Sequence, residues 1–298
     1  MSAVSERQRL SEGQPVAPGG ARTRARSLAG PLLLVAILVV VLYPLAWMLG
    51  TSVKSPAEIA SNVGLWPEQF TWRNYVSGWN GIPEVSFGRF FTNSLLIATG
   101  AVIGNVASCT LAAYAFARLR FPLRRLWFAL MIGTLLLPHH VLIIPQYVLF
   151  RRLGWVGTPL PLIAPKFLAT EAFFVFLTVQ FMRGIPRELD EAARIDGCGP
   201  FTSFWHVLLP LSRPALVTSA IFSFIWTWND FFSQLVYLND INTYTVPVAL
   251  RLFLDSAGQS EVGPMFAMSV LSLLPIFLFF LAFQRLLIEG INTSGLKG

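Results

Sequence analysis

The chain has 298 residues, of which 54% are hydrophobic and only 12% are charged, and its mean hydropathy is +0.61. Soluble domains carry about 25% charged residues, and one soluble core of this length could not hide so much apolar surface. The net charge of +7 comes from 22 lysines and arginines scattered between apolar blocks. This pattern is typical of a membrane protein, so it excludes nucleic acid as a partner and makes membrane lipid the surrounding medium.

The chain is predicted to have a tail followed by one membrane domain. Residues 1–26 are polar and rich in Ser, Gly, Pro and Arg, which predicts a disordered tail. Residues 27–298 are predicted to form an all-α, polytopic permease domain, because six apolar segments each approach or exceed the about 20 residues that cross a bilayer. The predicted spans are Ser27–Val53, Phe90–Ala117, Leu126–Phe150, Ile163–Met182, Pro214–Leu238 and Val262–Gln284.

Two of the predicted spans contain ionisable residues, Lys166 and Glu171 in the fourth and Asp230 in the fifth. Charged groups inside a bilayer are costly and normally face protein or water. An ion pair between Lys166 and Glu171 is the favoured interpretation, and a substrate role is the alternative. His139 and His140 follow a proline at a break in the third span. Adjacent helical residues point about 100° apart, so the two are poor joint metal ligands and are interpreted as helix-end or pore-lining groups.

The distribution of lysine and arginine predicts the orientation. With the N-terminus inside and six spans, 15 of the 22 basic residues fall on the cytoplasmic side. The positive-inside rule therefore places both termini in the cytoplasm, although Arg151 and Arg152 run against it.

The cytoplasmic loop between the fourth and fifth spans has the pattern of a short amphipathic helix. Pro186 stands where such a helix would begin and Gly197 where it would end. Leu189, Ala192 and Ala193 share one face at i, i+3, i+4 spacing, and the acidic residues near the start favour the positive end of the helix dipole. The helix would suit a groove on a soluble partner. A plain solvated loop helix explains the periodicity equally well.

The same loop carries a longer pattern at fixed spacing. Glu191-Ala192-Ala193 is followed after three residues by Gly197 and, after nine more, by Val207-Leu208-Leu209-Pro210. This resembles the EAA loop of ABC importer permeases and departs from it only in having Val207 for Ile. In that family the loop is a coupling helix that sits in a cleft of the cytoplasmic ATPase subunit. The resemblance assigns ATPase coupling to Glu188, Asp190, Glu191, Ala192, Ala193, Asp196, Gly197 and Pro210.

Other segments resemble the maltose-type carbohydrate permeases. Residues 225–232 resemble their fifth-span signature, and residues 245–250 the segment after it. Residues 274–285 and 289–298 resemble their last span and terminus. The likeness covers roughly residues 28–298. It implies a bacterial inner-membrane sugar importer with a second homologous permease subunit, two ATPase subunits and an extracytoplasmic sugar-binding protein.

The residues of the chain agree that the energy comes from a partner. None of its three lysines, Lys54, Lys166 and Lys297, lies in a Gly-x-x-x-x-Gly-Lys-Ser/Thr phosphate-binding loop. The chain is therefore not expected to be an enzyme or to hold a cofactor, and the partner ATPase would bind ATP and magnesium. Cys109 and Cys198 lack metal-ligand spacing.

Four residues at the outer end of the fifth span are candidates for the wall of a substrate path: Trp226, Trp228, Asn229 and Asp230. Indole faces would stack on sugars, and Asn229 or Asp230 would accept hydroxyl hydrogens. An aromatic belt with a polar helix end is the alternative.

The extracytoplasmic segment of residues 239–263 has four candidate residues near its centre: Asp255, Ser256, Ala257 and Gly258. The resemblance implies that this segment probes the cleft of the sugar-binding protein. A simple connecting loop is the alternative.

A stand-alone secondary transporter is the rival prediction. It would favour internal repeats, ion sites near the midplane and no docking loop. The sequence has no clear repeat, and Asp230 and Glu171 are expected off-centre. A membrane-embedded enzyme is a further alternative, but neither H-E-x-x-H nor G-x-S-x-G occurs. The sequence does not name the sugar, so an oligosaccharide, a disaccharide and glycerol phosphate remain candidates.

Overall fold

The computed structural model describes residues 29–80, 85–255 and 262–294, and the predicted tail 1–26 lies outside these ranges. The chain divides into two compact units. The first ends at Leu45 and the second begins at Ala46.

The regular elements of the described ranges are helices, with no β-strand among them. The α-helices are α1 (Ala29–Ser52), α2 (Pro56–Ser61), α3 (Arg73–Asn80), α4 (Phe87–Arg118), α5 (Arg124–Thr134), α6 (His139–Arg152), α7 (Leu160–Ile163), α8 (Ala172–Gly184), α9 (Glu188–Ile195), α10 (Pro200–Ser203), α11 (Leu209–Leu211), α12 (Arg213–Asn229), α13 (Phe232–Tyr237), α14 (Val246–Asp255) and α15 (Val262–Ser294). Two 3₁₀ segments, Ala164–Leu168 and Ile241–Thr243, and one π-helical segment, Phe204–Leu208, complete the set. The predicted all-α class is confirmed.

Six parts of the described chain are candidates for crossing a membrane. Four are single stretches that are long and apolar enough: Gly30–Ser52, Phe87–Arg118, Leu160–Gly184 and Val262–Arg285. Two are bent pairs: Arg124–Thr134 with His139–Arg152, and Pro200–Leu211 with Arg213–Asn229. The predicted number of about six spans is reached when each bent pair counts as one span.

The third predicted span, Leu126–Phe150, is not one straight helix. Its two halves, α5 and α6, meet at an angle of 101°. Pro138 stands at the start of α6 and has no backbone N–H to continue a helix from the preceding residues. With 11 and 14 residues, α5 and α6 are only about 16 and 21 Å long, so neither alone spans about 30 Å of hydrocarbon.

The fifth predicted span, Pro214–Leu238, also differs from the prediction. Helix α12 stops at Asn229, and the short helix α13 begins at Phe232. The cause is local, because the Asp230 carboxylate accepts a hydrogen bond from the Ser233 backbone N–H at 3.1 Å and so caps α13.

Helix α4 is the centre of the second unit and packs against α8, α12 and the 3₁₀ segment Ala164–Leu168. A Cβ atom added to Gly104 would lie 2.8 Å from the Phe167 ring, so only glycine permits this approach. Asn105 donates a hydrogen bond to the Ser223 hydroxyl at 2.8 Å, which ties α4 to α12. Close packing and buried hydrogen bonds thus hold the central helices together.

Hydrogen bonds from buried polar side chains hold the segment between α1 and α3 in place. The Lys54 ammonium is buried and donates to the carbonyl oxygens of Asn62, at 3.0 Å, and Gly64. The buried Asn74 side chain donates to the carbonyl oxygens of Ser52, at 2.9 Å, and Lys54, at 2.7 Å. These bonds join the end of α1 to α3, which packs on α15.

We expect Gly104→Ala to destabilise the protein by about 1–3 kcal/mol, because the added methyl group must displace the Phe167 ring or the backbone at Lys166. Gly133→Ala is the matched control, since no atom lies within 4 Å of its added Cβ and alanine favours a helix interior. Thermal unfolding in detergent measures both variants. Equal midpoints would contradict the close contact at Gly104.

Candidate functional site

The cytoplasmic loop contains the predicted helix as α9, Glu188–Ile195. Its end is a Schellman cap, in which the Gly197 N–H donates to the Arg194 carbonyl at 3.0 Å and the Cys198 N–H donates to the Ala193 carbonyl at 2.8 Å. Gly197 has a φ of +83°, a left-handed conformation that favours glycine. The predicted helix end at Gly197 is therefore confirmed, and its cause is conformational.

Helix α9 has two different faces. Its exposed residues, with the one that follows, are Glu188, Leu189, Glu191, Ala192, Arg194, Ile195 and Asp196. On the opposite face Ala193 is buried and Asp190 is half-buried. The predicted apolar face is thus divided, because Ala193 faces the rest of the chain while Leu189 and Ala192 face outward. A short helix with exposed carboxylates and exposed apolar side chains is available to a soluble partner.

The loop is anchored to the last turns of α4. The Arg118 Nε atom lies 3.0 Å from the Asp190 carboxylate, and Arg118 Nη2 donates to the Ile185 carbonyl at 2.8 Å. The Tyr114 hydroxyl donates to the Pro200 carbonyl at 2.7 Å. Sequence reasoning missed Tyr114 and Arg118, and their i, i+4 spacing at the end of a predicted span was the available signal. They fix α9 and the chain on both sides of it to α4.

A cavity of about 350 Å³ lies between the end of α4 and the loop. Its charged lining residues are Arg118, Arg120, Arg187, Asp190, Glu191 and Arg194. With four guanidinium groups and two carboxylates, the cavity lining has a net positive charge but carries charges of both signs. Charges of both signs orient one protein on another, which suits this surface to a protein contact.

The second half of the EAA-like pattern forms a turn into the membrane domain. The π-helical segment Phe204–Leu208 precedes Pro210, whose missing backbone N–H cannot complete a regular α-helical ladder. The chain then bends by 73° into α12. Leu208 is fully buried, so this part of the loop is fixed to the bundle. Pro210 therefore lies at the junction between the loop and α12, away from the exposed face of α9.

The predicted path residues at the end of α12 lie in different environments. Trp228 is 2% exposed and its indole N–H donates to the Ser272 carbonyl at 3.1 Å, so this side chain belongs to the core and not to an open wall. Asn229 is exposed, but its amide donates to the Ile225 carbonyl at 2.8 Å. Asp230 caps α13.

Trp226 differs from these neighbours, since 46% of it is exposed. Its ring packs on Phe173 and Phe174, with centroid distances of 5.1 and 5.2 Å. The structure thus places Trp226 against the first turn of α8. Among the four candidates, it presents the largest apolar surface outward.

The fourth span is broken in its first half, which hydropathy does not reveal. Helix α7 gives way to the 3₁₀ segment Ala164–Leu168, Ala169 adopts a left-handed φ of +53°, and α8 begins at Ala172. The predicted ion pair between Lys166 and Glu171 is confirmed, and it bridges this break.

The two histidines and the binding-protein loop candidates lie outside the sites described so far. His139 Nε2 lies 3.3 Å from the Ser233 hydroxyl, and the His140 ring meets Phe232 edge-on at 4.9 Å, so both start α6 and pack on α13. Asp255 is the last residue of α14. The other binding-protein loop candidates, Ser256, Ala257 and Gly258, lie outside the described residues. Their proposed contact stays a prediction.

Broken and bent spans, together with an exposed helix anchored to the central one, define a membrane transport component with a surface for a soluble partner. Residues 104–292 match the family described as the binding-protein-dependent transport system inner membrane component. The chain belongs to this family and is a multi-pass protein of the inner membrane.

Individual relatives agree with this assignment. The trehalose/maltose transport system permease protein of Thermococcus litoralis is 32% identical over 87% of this chain and 93% of its own length. The diacetylchitobiose uptake system permease protein of Streptomyces coelicolor is 29% identical over 88% of this chain and 86% of its own. A chain of a bacterial ABC transporter that imports the acidic polysaccharide alginate has the same fold. Its TM-score is 0.75 at 21% identity, over 90% of this chain and 99% of the other.

We expect Arg118→Gln to loosen α9, because it leaves the half-buried Asp190 carboxylate without its partner, a change that costs about 3–5 kcal/mol at buried sites. Hydrogen exchange of the α9 backbone amides, followed by mass spectrometry in nanodiscs, should accelerate. Glu191→Gln is the control, since Glu191 is exposed on the same helix and should leave exchange unchanged. Unchanged exchange in Arg118→Gln would contradict the anchoring role.

Proposed function

We propose that the chain is one permease subunit of an ATP-driven sugar importer, which forms half of the translocation path and couples it to a cytoplasmic ATPase through residues 186–210. The observation that carries this proposal is α9, an exposed acidic helix at the EAA-like positions that is tied to α4 by Arg118. The trehalose/maltose and diacetylchitobiose relatives support a carbohydrate as the substrate.

The loop would act as a rigid lever between the ATPase and the bundle. Glu188, Glu191 and Ala192 lie on the exposed face and would enter the cleft of the ATPase. Asp190 and Ala193 face inward, so they would hold the lever to the membrane domain. Closure of the ATPase pair would then move α9 together with the end of α4.

The same movement would reach α12 through the second half of the loop. Leu208 is buried in the bundle and Pro210 precedes the 73° bend, so displacement of the loop would tilt α12. Rocking of α4 and α12 would open the path alternately to the two sides of the membrane. The coupling residues Asp196 and Gly197 would fix the direction in which the chain leaves α9.

The complete importer would contain a second homologous permease subunit, two ATPase subunits and an extracytoplasmic sugar-binding protein. ATP and magnesium would bind to the ATPase subunits, and this chain would not be an enzyme. Both termini would lie in the cytoplasm, which the excess of arginine and lysine in the predicted inner segments supports. The segment of residues 239–263, which was predicted as a loop but contains α14, would meet the binding protein through Asp255 to Gly258.

A stand-alone secondary transporter gains no support from the matched family or from the anchored docking helix. Affinity purification of the chain from its native membrane, with mass spectrometry of the recovered partners, separates the two functions. We expect an ATPase, a second permease and a binding protein. Recovery of the chain alone, active in uptake without ATP, would contradict the importer.

We expect Glu191→Arg to abolish ATP-dependent sugar uptake while membrane insertion stays normal, because the reversed charge lies on the exposed face that would meet the ATPase. Uptake is measured in cells or proteoliposomes, and insertion by the amount of full-length chain in the membrane. Copurification of the ATPase should fall in parallel. Wild-type uptake by this variant would show that α9 is not the coupling helix.

We expect Gly197→Ala to reduce uptake per inserted chain, because a φ of +83° costs an L-residue about 1–2 kcal/mol and the cap would open. The added methyl group itself meets no atom within 4 Å, so the effect is conformational and not steric. Gly199→Ala is the matched control in the same loop, with open space and a φ of −70°. Equal uptake by both variants would mean that the cap is unimportant for coupling.

A further inference from the structure

The break in the span Leu160–Gly184 lies beside the membrane-spanning helix α4, away from its ends. The Ser108 hydroxyl of α4 donates to the Lys166 carbonyl at 2.7 Å, so the break is level with Ser108. Ser108 precedes the end of α4 at Arg118 by ten residues, which is about 15 Å of helix. The hydrocarbon core is about 30 Å thick and α4 is longer than that, so this level lies inside the part of α4 that crosses the membrane.

The break is held in place by several contacts with α4. The Ser108 hydroxyl also accepts a hydrogen bond from the Ala169 N–H at 3.1 Å, and the Cys109 thiol donates to the Glu171 carbonyl at 3.8 Å. Gly104 leaves room for Phe167 against the same helix. Hydrogen bonds from α4 therefore satisfy backbone groups that the interruption leaves unpaired. The interruption is thus a stabilised part of the fold.

The other side of the break bears charge. Lys166 and Glu171 have side chains that are 24% and 31% exposed, and Thr170 beside them is exposed. Lipid cannot hydrogen-bond to a charged pair or to non-helical backbone, so both are tolerated at this depth only against protein or a water-filled cavity. This face is thus excluded from contact with lipid tails.

The ion pair has hydrogen-bonding capacity left over. An ammonium group carries three donors, and a carboxylate has about four acceptor sites. Among the described residues the one side-chain hydrogen bond of either group is the bond between them. Water fills such capacity in an open path, and sugar hydroxyl groups, which both donate and accept, can replace that water.

An exposed aromatic surface adjoins the pair. Trp226 packs on Phe173 and Phe174, which lie two and three residues after Glu171 in the first turn of α8. Trp226 therefore lies beside the first turn of α8, which begins at the residue after Glu171. A sugar ring has an apolar C–H face and a polar hydroxyl rim, and a binding site needs an apolar wall with a few placed polar groups. Trp226 supplies the wall, and the ion pair supplies the polar groups.

We propose that Lys166, Glu171 and Trp226 form a subsite for a neutral sugar within the membrane-spanning part of the translocation path. This inference rests on the proposed import function and names the substrate class of that path. The pair has no net charge, so it offers no net attraction for the charge of an acidic sugar, because the Lys166 ammonium attracts that charge and the Glu171 carboxylate repels it. Lys166 donates to hydroxyl oxygens, and Glu171 accepts from hydroxyl hydrogens.

Accessibility of the break tests the location without any choice of sugar. In the complete importer, Thr170→Cys in a Cys198→Ser background is treated with a charged methanethiosulfonate reagent, which reacts only with thiols that water reaches. The Cys198→Ser chain without Thr170→Cys still contains the buried Cys109, so its labelling gives the contribution of that thiol. Leu278→Cys on α15 is the control, because Leu278 is an exposed apolar side chain in a span without charged neighbours.

We expect Thr170→Cys to react at least about tenfold faster than Leu278→Cys, since thiolate formation needs water. Millimolar maltose or trehalose should slow the reaction, and the same concentration of glucuronate should not. An unreactive Thr170→Cys in every nucleotide state would overturn the location and would place the break against the second permease. Absence of protection by the neutral sugars, or equal protection by glucuronate, would overturn the neutral-sugar assignment.

Transport by a double variant provides a second test. Lys166→Met with Glu171→Met removes both charges together, a replacement that buried ion pairs often tolerate without loss of stability. We expect binding-protein-stimulated ATP hydrolysis to persist while the sugar moved per ATP falls about tenfold, the effect of losing a hydrogen bond to a charged group. An unchanged ratio would overturn the subsite. Failure of the unmodified chain to import sugar with ATP would instead refute the proposed function.

Discussion

Close contact along α4 is the constraint on which the described bundle depends. Lipid tails are as apolar as leucine, so apolar surface alone does not hold helices together in a membrane. Close packing at small residues, hydrogen bonds and ion pairs must do so. On α4 these are Gly104 and Asn105 in the middle and Arg118 at the cytoplasmic end. Because one rigid helix carries all of these contacts, a displacement at one end is transmitted to the other.

This arrangement connects the two proposed sites. Arg118, which holds α9, and Ser108, which holds the broken span, are separated by about 15 Å of continuous helix. Movement of the coupling helix would therefore reach the charged break through α4 without an intervening loop. Non-helical backbone has fewer internal hydrogen bonds to break. A small rotation of the span at the interruption would therefore change which groups face the path.

Hydropathy and local chemistry predicted much of this fold. The six apolar segments and the Gly197 cap of α9 follow from span length and from capping, both of which depend on neighbouring residues only, although α9 starts at Glu188 and not at Pro186. The Lys166–Glu171 pair was also predictable, since two opposite charges in one span must compensate each other. The 101° bend between α5 and α6 was not predictable, because a proline marks a break without setting its angle.

The sequence by itself determined that the chain crosses the membrane repeatedly, where it does so, and which loop bears the docking pattern. The tertiary structure alone decided that Asp190 faces Arg118, that Trp228 is buried while Trp226 is exposed, and that the break lies level with Ser108. The physical reason is the range of the interactions. Hydropathy and caps act over a few residues, whereas burial and partner choice depend on helices that are distant in sequence and meet only in the packed bundle.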